Sequence, residues 1–522
     1  MNARNVLSAL KAQPPDLRTA QNYVSPGCHE RYLCDESRMA GFPPARMWFP
    51  TDTAGVSAAL AWISECNERA AVSGARTGIA GGAVPYGAEN LLSTERIVYK
   101  PMLIERNGEW FLKTGAGMTL ADIQAFMRNR DSFPDHAPAG LYYPVDPTET
   151  SASVGGMIAS DASGARTLFY GSTRIWVNRL TVVLPDGSIL DLERGKFFAQ
   201  AGKFYLKSPN GVVDDCAFSG VRIPGTKHVA GYRLSTDMDL IDLFIGGEGT
   251  LGVVTDAELR LTAAPECLYV CLFAGVDHPA AEFAACLKQR MPLLALEYMD
   301  RASMHLLRNF RDSASAASGV PDLTDWDLSV YYVEIPLDKG NARERVDILK
   351  SALTDSGLDP ADSWAGFSPS YLDEMKRFRH ALPERVNQLI ADTGKSLPGL
   401  TKIGTDMAVP DHALPAMMET YSQGISREGL QSVTFGHLGN GHLHVNILPR
   451  SMEEVEKGKA LYREFARYAV SLGGSVAAEH GIGRLKRDLM SVQYNPDEIS
   501  EMLKIKRFFD PQFRLNPGVL FA

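Results

Sequence analysis

A chain of 522 residues exceeds one ordinary hydrophobic core, so two or three domains are expected. Its 45% hydrophobic and 22% charged residues suit a globular protein, and a formal charge of −9 argues against nucleic acid as a partner, which calls for a basic face. No run reaches the roughly 18 apolar residues of a membrane helix, so the default expectation is a cytoplasmic protein that is not transmembrane.

The opening "MNARNVLSALKAQ" lacks an apolar core and a cleavage site, and reads as a short surface helix. Acidic Asp16 weighs against a transit peptide, and residues 1–44 are taken as an N-terminal helical segment. In "TDTAGVSAALAWISECNERAA", Thr53 can cap a helix on which Val56, Leu60, Ile63 and Cys66 recur at helical spacing. The short strand "AAV" runs into "SGARTGIAGG", and "MTLADIQAFMRNR" is an amphipathic helix with Leu120, Ile123, Phe126 and Met127 on one face. "RLTVVLPDGSILDL" predicts a hairpin turning at Asp186-Gly187, and "DLFIGGEGTLGVVTDAELRLTAAP" closes a first unit over residues 45–265.

From "CLYVCLFAGVDHPAAEFAACLKQR" the pattern becomes strand, helix, strand, an α+β unit over residues 266–460. Within it "DLSVYYVEIP" predicts a strand and "NARERVDILKSALTDSG" a helix, while "SVTFGHLGNGHLHVNILP" predicts two strands about a glycine turn. Residues 461–522 form a C-terminal segment that carries "EHGIG" and ends in a helix and a Pro/Gly-punctuated tail. The seven cysteines show no zinc-ribbon or ferredoxin spacing, and none follows Cys286. A metal site in the second half would therefore use nitrogen and oxygen ligands.

Three small-residue runs stand out. "SGARTGIAGG" can aim backbone N–H groups into one concavity, which suits a phosphate. No helix follows it directly, so it is not the Rossmann fingerprint, and a tight structural turn is the alternative. Val154 to Ser160 and Gly246 to Gly252 repeat the theme, as for an extended cofactor crossing several loops or a sheet with crowded turns. "FGHLGNGHLHVN" then holds three of the chain's 11 histidines. Strand alternation puts His442, His444 and Asn446 on one face, and the Gly439-Asn440-Gly441 turn can fold His437 back toward His444. With Glu479 and His480 of "AAEHGIG", a divalent metal and hydrogen-bonded structural histidines both fit.

The order "SGARTGIAGG … YYPVDPTETSASVGGMIASDASGARTLFYGSTR … VVLPDGS … LFIGGEGTLGVVT" resembles the vanillyl-alcohol-oxidase-type (PCMH-type) flavoproteins. Through the second half it resembles their D-2-hydroxyacid dehydrogenase branch, which includes D-lactate and D-2-hydroxyglutarate dehydrogenases, over about residues 45–522. The resemblance implies an α+β fold: a two-subdomain FAD-binding domain, then an α+β substrate (cap) domain, with the C-terminal tail returning to the FAD domain. It implies FAD along Ser73, Gly74, Ala75, Arg76, Thr77, Gly78, Ile79, Gly81 and Gly82, with Asp146, Gly155, Gly156, Ser163, Gly164, Gly249, Val253 and Val254 nearby. Relatives that attach FAD covalently use a histidine in the first loop; this chain has none there, so FAD is expected to be non-covalent, with His136 as the alternative attachment.

The resemblance also implies one divalent metal, zinc, manganese or iron, on His437, His444 and Glu479. It makes Arg379 the clamp for a substrate carboxylate, Lys402 and Asn446 further substrate contacts, and His480 the base. The implied reaction oxidises a D-2-hydroxy acid, D-lactate or similar, to the 2-oxo acid by hydride transfer to flavin N5. Electrons would pass to an external acceptor (an electron-transfer flavoprotein, a quinone or a cytochrome), and a homodimer is an allowed assembly. Two departures weigh against hydroxyglutarate specifically: Pro383 where relatives have threonine, and His442 where several have asparagine. His442 stays unassigned. The alternatives are a D-2-hydroxyglutarate dehydrogenase, an alkylglycerone-phosphate synthase-type flavoenzyme, a metal hydrolase whose glycine loops are only turns, and a non-catalytic electron-transfer subunit.

Overall fold

Parallel pairing of three short apolar strands, Arg46–Trp48, Asn90–Ser93 and Ala70–Ser73, builds a small sheet to which Tyr23–Val24 adds a fourth strand. The helix Thr53–Glu65 packs Val56, Ala59, Leu60 and Ile63 onto this sheet. Its cap is Asp52 and not Thr53: the Asp52 carboxylate accepts the Gly55 N–H at 2.8 Å, while the Thr53 hydroxyl meets that of Thr255 at 2.9 Å. The computed structural model describes residues 2–10, 23–24, 30–87, 89–275, 280–313, 327–397, 400 and 402–522. Cys28 and Asp16 lie outside the described residues; the cysteines within them are free thiols.

Beside the small sheet stands one of eight strands, in the order Val213–Ala217, Lys203–Lys207, Val6–Leu10, Ile189–Glu193, Val177–Val183, Val253–Arg260, Glu109–Gly115 and Met102–Arg106. The predicted hairpin is its centre: Val183 pairs with Ile189, and Gly187 supplies the turn at φ +84°. The expected N-terminal helix is a strand. Val6–Leu10 lies between Ile189–Glu193 and Lys203–Lys207, with Leu7 and Ala9 buried on alternate positions. Sheet pairing supplies backbone partners that outweigh the modest helix preference of five residues.

A seven-stranded sheet carries the second half, in the order Trp364–Gly366, Cys267–Gly275, Ser329–Leu337, Ala295–Met299, Ser432–His437, His442–Ile447 and Ile403–Gly404. Met452–Ser471 is one helix running through the boundary drawn at residue 460, and its Leu461 and Phe465 are buried. The tail then crosses back to the small sheet: Leu515 bridges Ala70, and the Asn516 side chain accepts the Val72 N–H at 2.6 Å. This return brings the "EHGIG" loop, between helix and tail, onto the seam between the sheets.

Candidate active site

The two histidine strands pair antiparallel, with His437 opposite His442 and Phe435 opposite His444. Gly441 closes the turn at φ +60°, where a Cβ would stand 2.2 Å from the Val409 carbonyl oxygen. Only glycine fits such a position. Period-two alternation places His442 and His444 on one face, their ring centroids 4.4 Å apart, and the turn returns His437 to within 5.8 Å of His444.

Glu479 and His480 are not on a strand; they follow an isolated bridge between Ser475 and Ala408. Asp406 explains how neighbours in sequence enter one site. Its carboxylate accepts the N–H groups of both Glu479 (3.2 Å) and His480 (3.1 Å), so the backbone curls around it. The next turn is held by Glu248, which accepts the N–H groups of Ile482 and Gly483, each at 2.8 Å. Gly483 sits at φ +55°, where a Cβ would stand 1.9 Å from the Ala80 carbonyl oxygen. The glycine run Gly246–Gly252 is thus tied to the "EHGIG" loop, and that loop to the end of "SGARTGIAGG".

In His437 and His444 one ring nitrogen is spoken for. His437 Nδ1–H donates to Glu297 Oε1 at 2.8 Å, and His444 Nδ1–H donates to the Thr405 carbonyl at 2.9 Å. Their Nε2 atoms then converge on Glu479 Oε2, at 3.2 and 3.7 Å. Ligand atoms about 2.0–2.1 Å from one ion stand roughly 3.3 Å apart in a tetrahedral site. Two imidazoles and a carboxylate at that spacing fit zinc, manganese or iron(II). The outer partners, Glu297 and Thr405, orient the rings as metal-ligating histidines require.

Charge follows from the same contacts. Burial would push the His437 imidazolium down, but Glu297 and Glu479 on its two sides outweigh it and lift it to about 9. Against burial, His437 and the Lys227 ammonium, which bonds Glu479 Oε1, hold Glu479 well below the carboxylate range. Burial, with His444 beside it, outweighs Asp406 and lowers His480 to about 4. His480 is therefore neutral at pH 7. Its ring stacks on His444 at 5.3 Å, with Nδ1 3.3 Å from Asp406 Oδ1.

Among the predicted substrate contacts, Arg379 lies on the long helix Pro369–Gly394 and makes no ion pair within 4.0 Å among the described residues. Burial works against its charge, while Glu297, Tyr332, Asp146 and Glu334 sustain it. Asn446 is buried and donates to the His444 carbonyl at 3.2 Å. Lys402 donates to Asn387 at 3.1 Å, and its Cε and the Asn446 amide oxygen both lie against Gly404. Arg166 is committed to Glu334 at 2.7 Å and faces Asp146 at 3.7 Å.

The predicted cofactor residues divide into two groups. Ala75 and Gly156 N–H groups both point at the Ser153 hydroxyl, at 3.3 and 3.4 Å, so the first and second runs meet there. A Cβ on Gly74 would stand 2.7 Å from that hydroxyl, and one on Gly155 2.9 Å from Ala116 Cβ. The second run is a short helix, Val154–Ala159, rather than a loop. Ser73 is fully buried and its hydroxyl has no partner among the described residues, while Gly78 faces open space, both as expected of a cradle that a ligand completes. Arg76 folds over Tyr32 and back to the Gly74 carbonyl, Thr77 is half-buried, Ile79 is exposed, and Gly81 and Gly82 lead toward Met39 and Glu248. Gly249 takes φ +66° beside Asn516.

Asp146, Ser163 and Gly164 lie at the other end, toward the histidines. Gly164 packs on the Asp146 carbonyl, and Ser163 donates to Glu479 Oε1 at 3.1 Å. Val253 and Val254 are buried sheet residues paired with Val183 and Val182, and Val253 is core. His136 is exposed, its ring against Trp110. Sequence reasoning missed Glu297, Asp406, Lys227 and Glu248. Only Glu297 carried a local signal, as the lone charge inside the apolar run "LLALEYM".

A glycine-lined cradle between two sheets, opening toward a histidine–carboxylate cluster, is the layout of a flavin-linked oxidoreductase. Residues 44–193 match the FAD binding domain and residues 262–520 the FAD linked oxidases, C-terminal domain, so the chain belongs to the FAD-linked oxidases. It is 29% identical to a D-2-hydroxyglutarate dehydrogenase of Xanthomonas citri pv. viticola, over 98% of this chain and 94% of the relative. It is 27% identical to a D-lactate dehydrogenase of Anaerostipes hadrus, over 94% and 92%. Among solved structures, an alkyldihydroxyacetonephosphate synthase superposes with a TM-score of 0.62 at 15% identity, covering 92% of this chain and 78% of that one. That likeness shows the shared fold. No helix among the described residues is long and apolar enough to cross a membrane.

Proposed function

We propose that the chain oxidises a D-2-hydroxy acid to the 2-oxo acid, with non-covalent FAD and one divalent metal as resident cofactors and an external carrier as electron acceptor. One observation carries the reading: His437 Nε2, His444 Nε2 and Glu479 Oε2 converge at ligand spacing, and the charge of Glu297, which holds His437, also acts on the Arg379 guanidinium, bonded to His380 at 3.1 Å but in no ion pair among the described residues. When bound, FAD supplies a two-electron acceptor, and the metal on His437, His444 and Glu479 supplies a Lewis acid for the substrate hydroxyl.

The protein does the rest. Arg379 binds the substrate carboxylate through charge-assisted hydrogen bonds. His480, neutral at pH 7, is the base for the hydroxyl proton. Asp406 fixes its Nδ1 edge and so presents Nε2 to the substrate. Asn446, buried under the same strand face, supports the substrate side. Ser163, on Glu479, links the cofactor end of the cleft to the metal ligands.

Relatives named for D-lactate and for D-2-hydroxyglutarate are both similar to this chain. Arg166 is already paired with Glu334 and Lys402 with Asn387, which supports a short side chain over a second carboxylate. The test is anaerobic bleaching of the flavin band by a panel of D- and L-2-hydroxy acids, before and after chelation. A short D-acid should bleach the flavin, and metal removal should abolish this while FAD stays bound. Failure of every acid refutes the reaction; full-rate bleaching without metal refutes the metal's role.

A further inference from the structure

We infer that His442 is a fourth protein ligand, making the site a cage of three histidines and one carboxylate; the inference rests on the metal reading above. His442 is wholly buried; its Nε2 faces Asp406, and its Nδ1 has no hydrogen-bond partner among the described residues. Buried polar atoms in native proteins nearly always have partners, and an exception calls for an explanation. Where the two nitrogens point supplies it. Nδ1 faces Glu479 Oε2 at 3.9 Å, the same oxygen on which His437 Nε2 and His444 Nε2 converge at 3.2 and 3.7 Å. One ligand atom from each of His437, His442, His444 and Glu479 lies within 4.8 Å of all the others.

The opposite nitrogen completes the pattern. His442 Nε2 lies 3.3 Å from Asp406 Oδ1, as His437 Nδ1 lies on Glu297 and His444 Nδ1 on the Thr405 carbonyl. In each ring one nitrogen is backed by an oxygen and the other turned to the centre, the arrangement of ligating histidines with an outer partner. Its placement is built into the fold: Ala408 bridges both His442 and Ser475, which sets Asp406 between the histidine strand and the Glu479 turn. A substrate contact is excluded by burial, because the ring has no exposed edge.

The FAD-loaded protein, its metal replaced by Co²⁺ alone, tests this. Each ligating imidazole whose outer nitrogen carries a proton gives one solvent-exchangeable, hyperfine-shifted N–H signal in the proton NMR spectrum. Three such signals are expected in the parent protein and in His480→Asn, and two in His442→Asn, which should hold Co²⁺ about 100-fold more weakly with unchanged FAD content. Two signals in the parent protein, or three in His442→Asn, overturn the fourth ligand and leave the metal reading standing. A parent protein that retains no Co²⁺ overturns both. The count in the parent protein needs no variant, so a misfolded His442→Asn does not remove the test.

Discussion

Glu297→Gln removes one charge from the far side of His437 and keeps the shape and one acceptor oxygen. The Glu297 carboxylate is buried and 2.8 Å from His437 Nδ1, so it acts on this ring with little solvent screening. Partners of this kind are worth roughly 10- to 100-fold in metal affinity, or about 1.4–2.7 kcal/mol. The size of the effect depends on pH. In the metal-free protein Glu297 and Glu479 lift His437 from its ordinary range to about 9. Below that value metal must displace a proton, so parent affinity should rise about tenfold per pH unit until pH 9 and then level. The variant loses a main source of the lift, and its curve should level at lower pH. At pH 9.5 both rings are neutral and the variant should bind roughly 10- to 100-fold more weakly; toward pH 7 the gap should narrow. Competition against a chromogenic chelator across this range measures both curves, with FAD absorbance as the control for folding. Equal affinity at pH 9.5, or parallel curves throughout, would refute the role of Glu297. The metal-free fold should also change with pH: its His437–carboxylate contribution is fully present below the ordinary histidine pKa and is lost as pH rises through 9.

Three further outcomes follow. Arg379→Met should raise KM and weaken 2-oxo acid binding by roughly 10- to 100-fold, the worth of a charge-assisted contact, as read from flavin-band titration; a fall in kcat alone would contradict the clamp. His480→Asn should slow flavin reduction by about 10²–10⁴-fold while changing product affinity little. Because burial lowers His480 to about 4, the acid limb of the parent kcat/KM profile should fall near that value, and a limb near 6.5 would exclude this base. Gly483→Ala places a Cβ 1.9 Å from the Ala80 oxygen at φ +55°, and should cost at least about 1 kcal/mol and loosen FAD; unchanged Tm and FAD retention would show that the loop tolerates the shift.

Much of the site was legible because local rules decide local geometry. The Asp186-Gly187 hairpin, the strand at Ser329–Leu337 and the helix at Ala342–Asp355 follow from turn chemistry and periodicity. The shared face of His442 and His444 follows from the two-residue period of a strand, and the return of His437 from the glycine turn. These required no knowledge of the rest of the chain.

Tertiary structure decided what fills the space those side chains face. Val6–Leu10 has nothing to prefer strand over helix until Ile189–Glu193 and Lys203–Lys207 offer it backbone partners. Glu297 reaches His437 from 140 residues away, Ser163 reaches Glu479 from 316, and Asp406 joins His442, His480 and Lys486 in one cluster. The sequence by itself determined that histidines would crowd one strand face, because side-chain alternation is a property of the strand alone. Whether His442 turns inward with Nδ1 unpaired and Nε2 on Asp406 was settled only by packing, because burial and hydrogen-bond partners come from elements far apart in sequence.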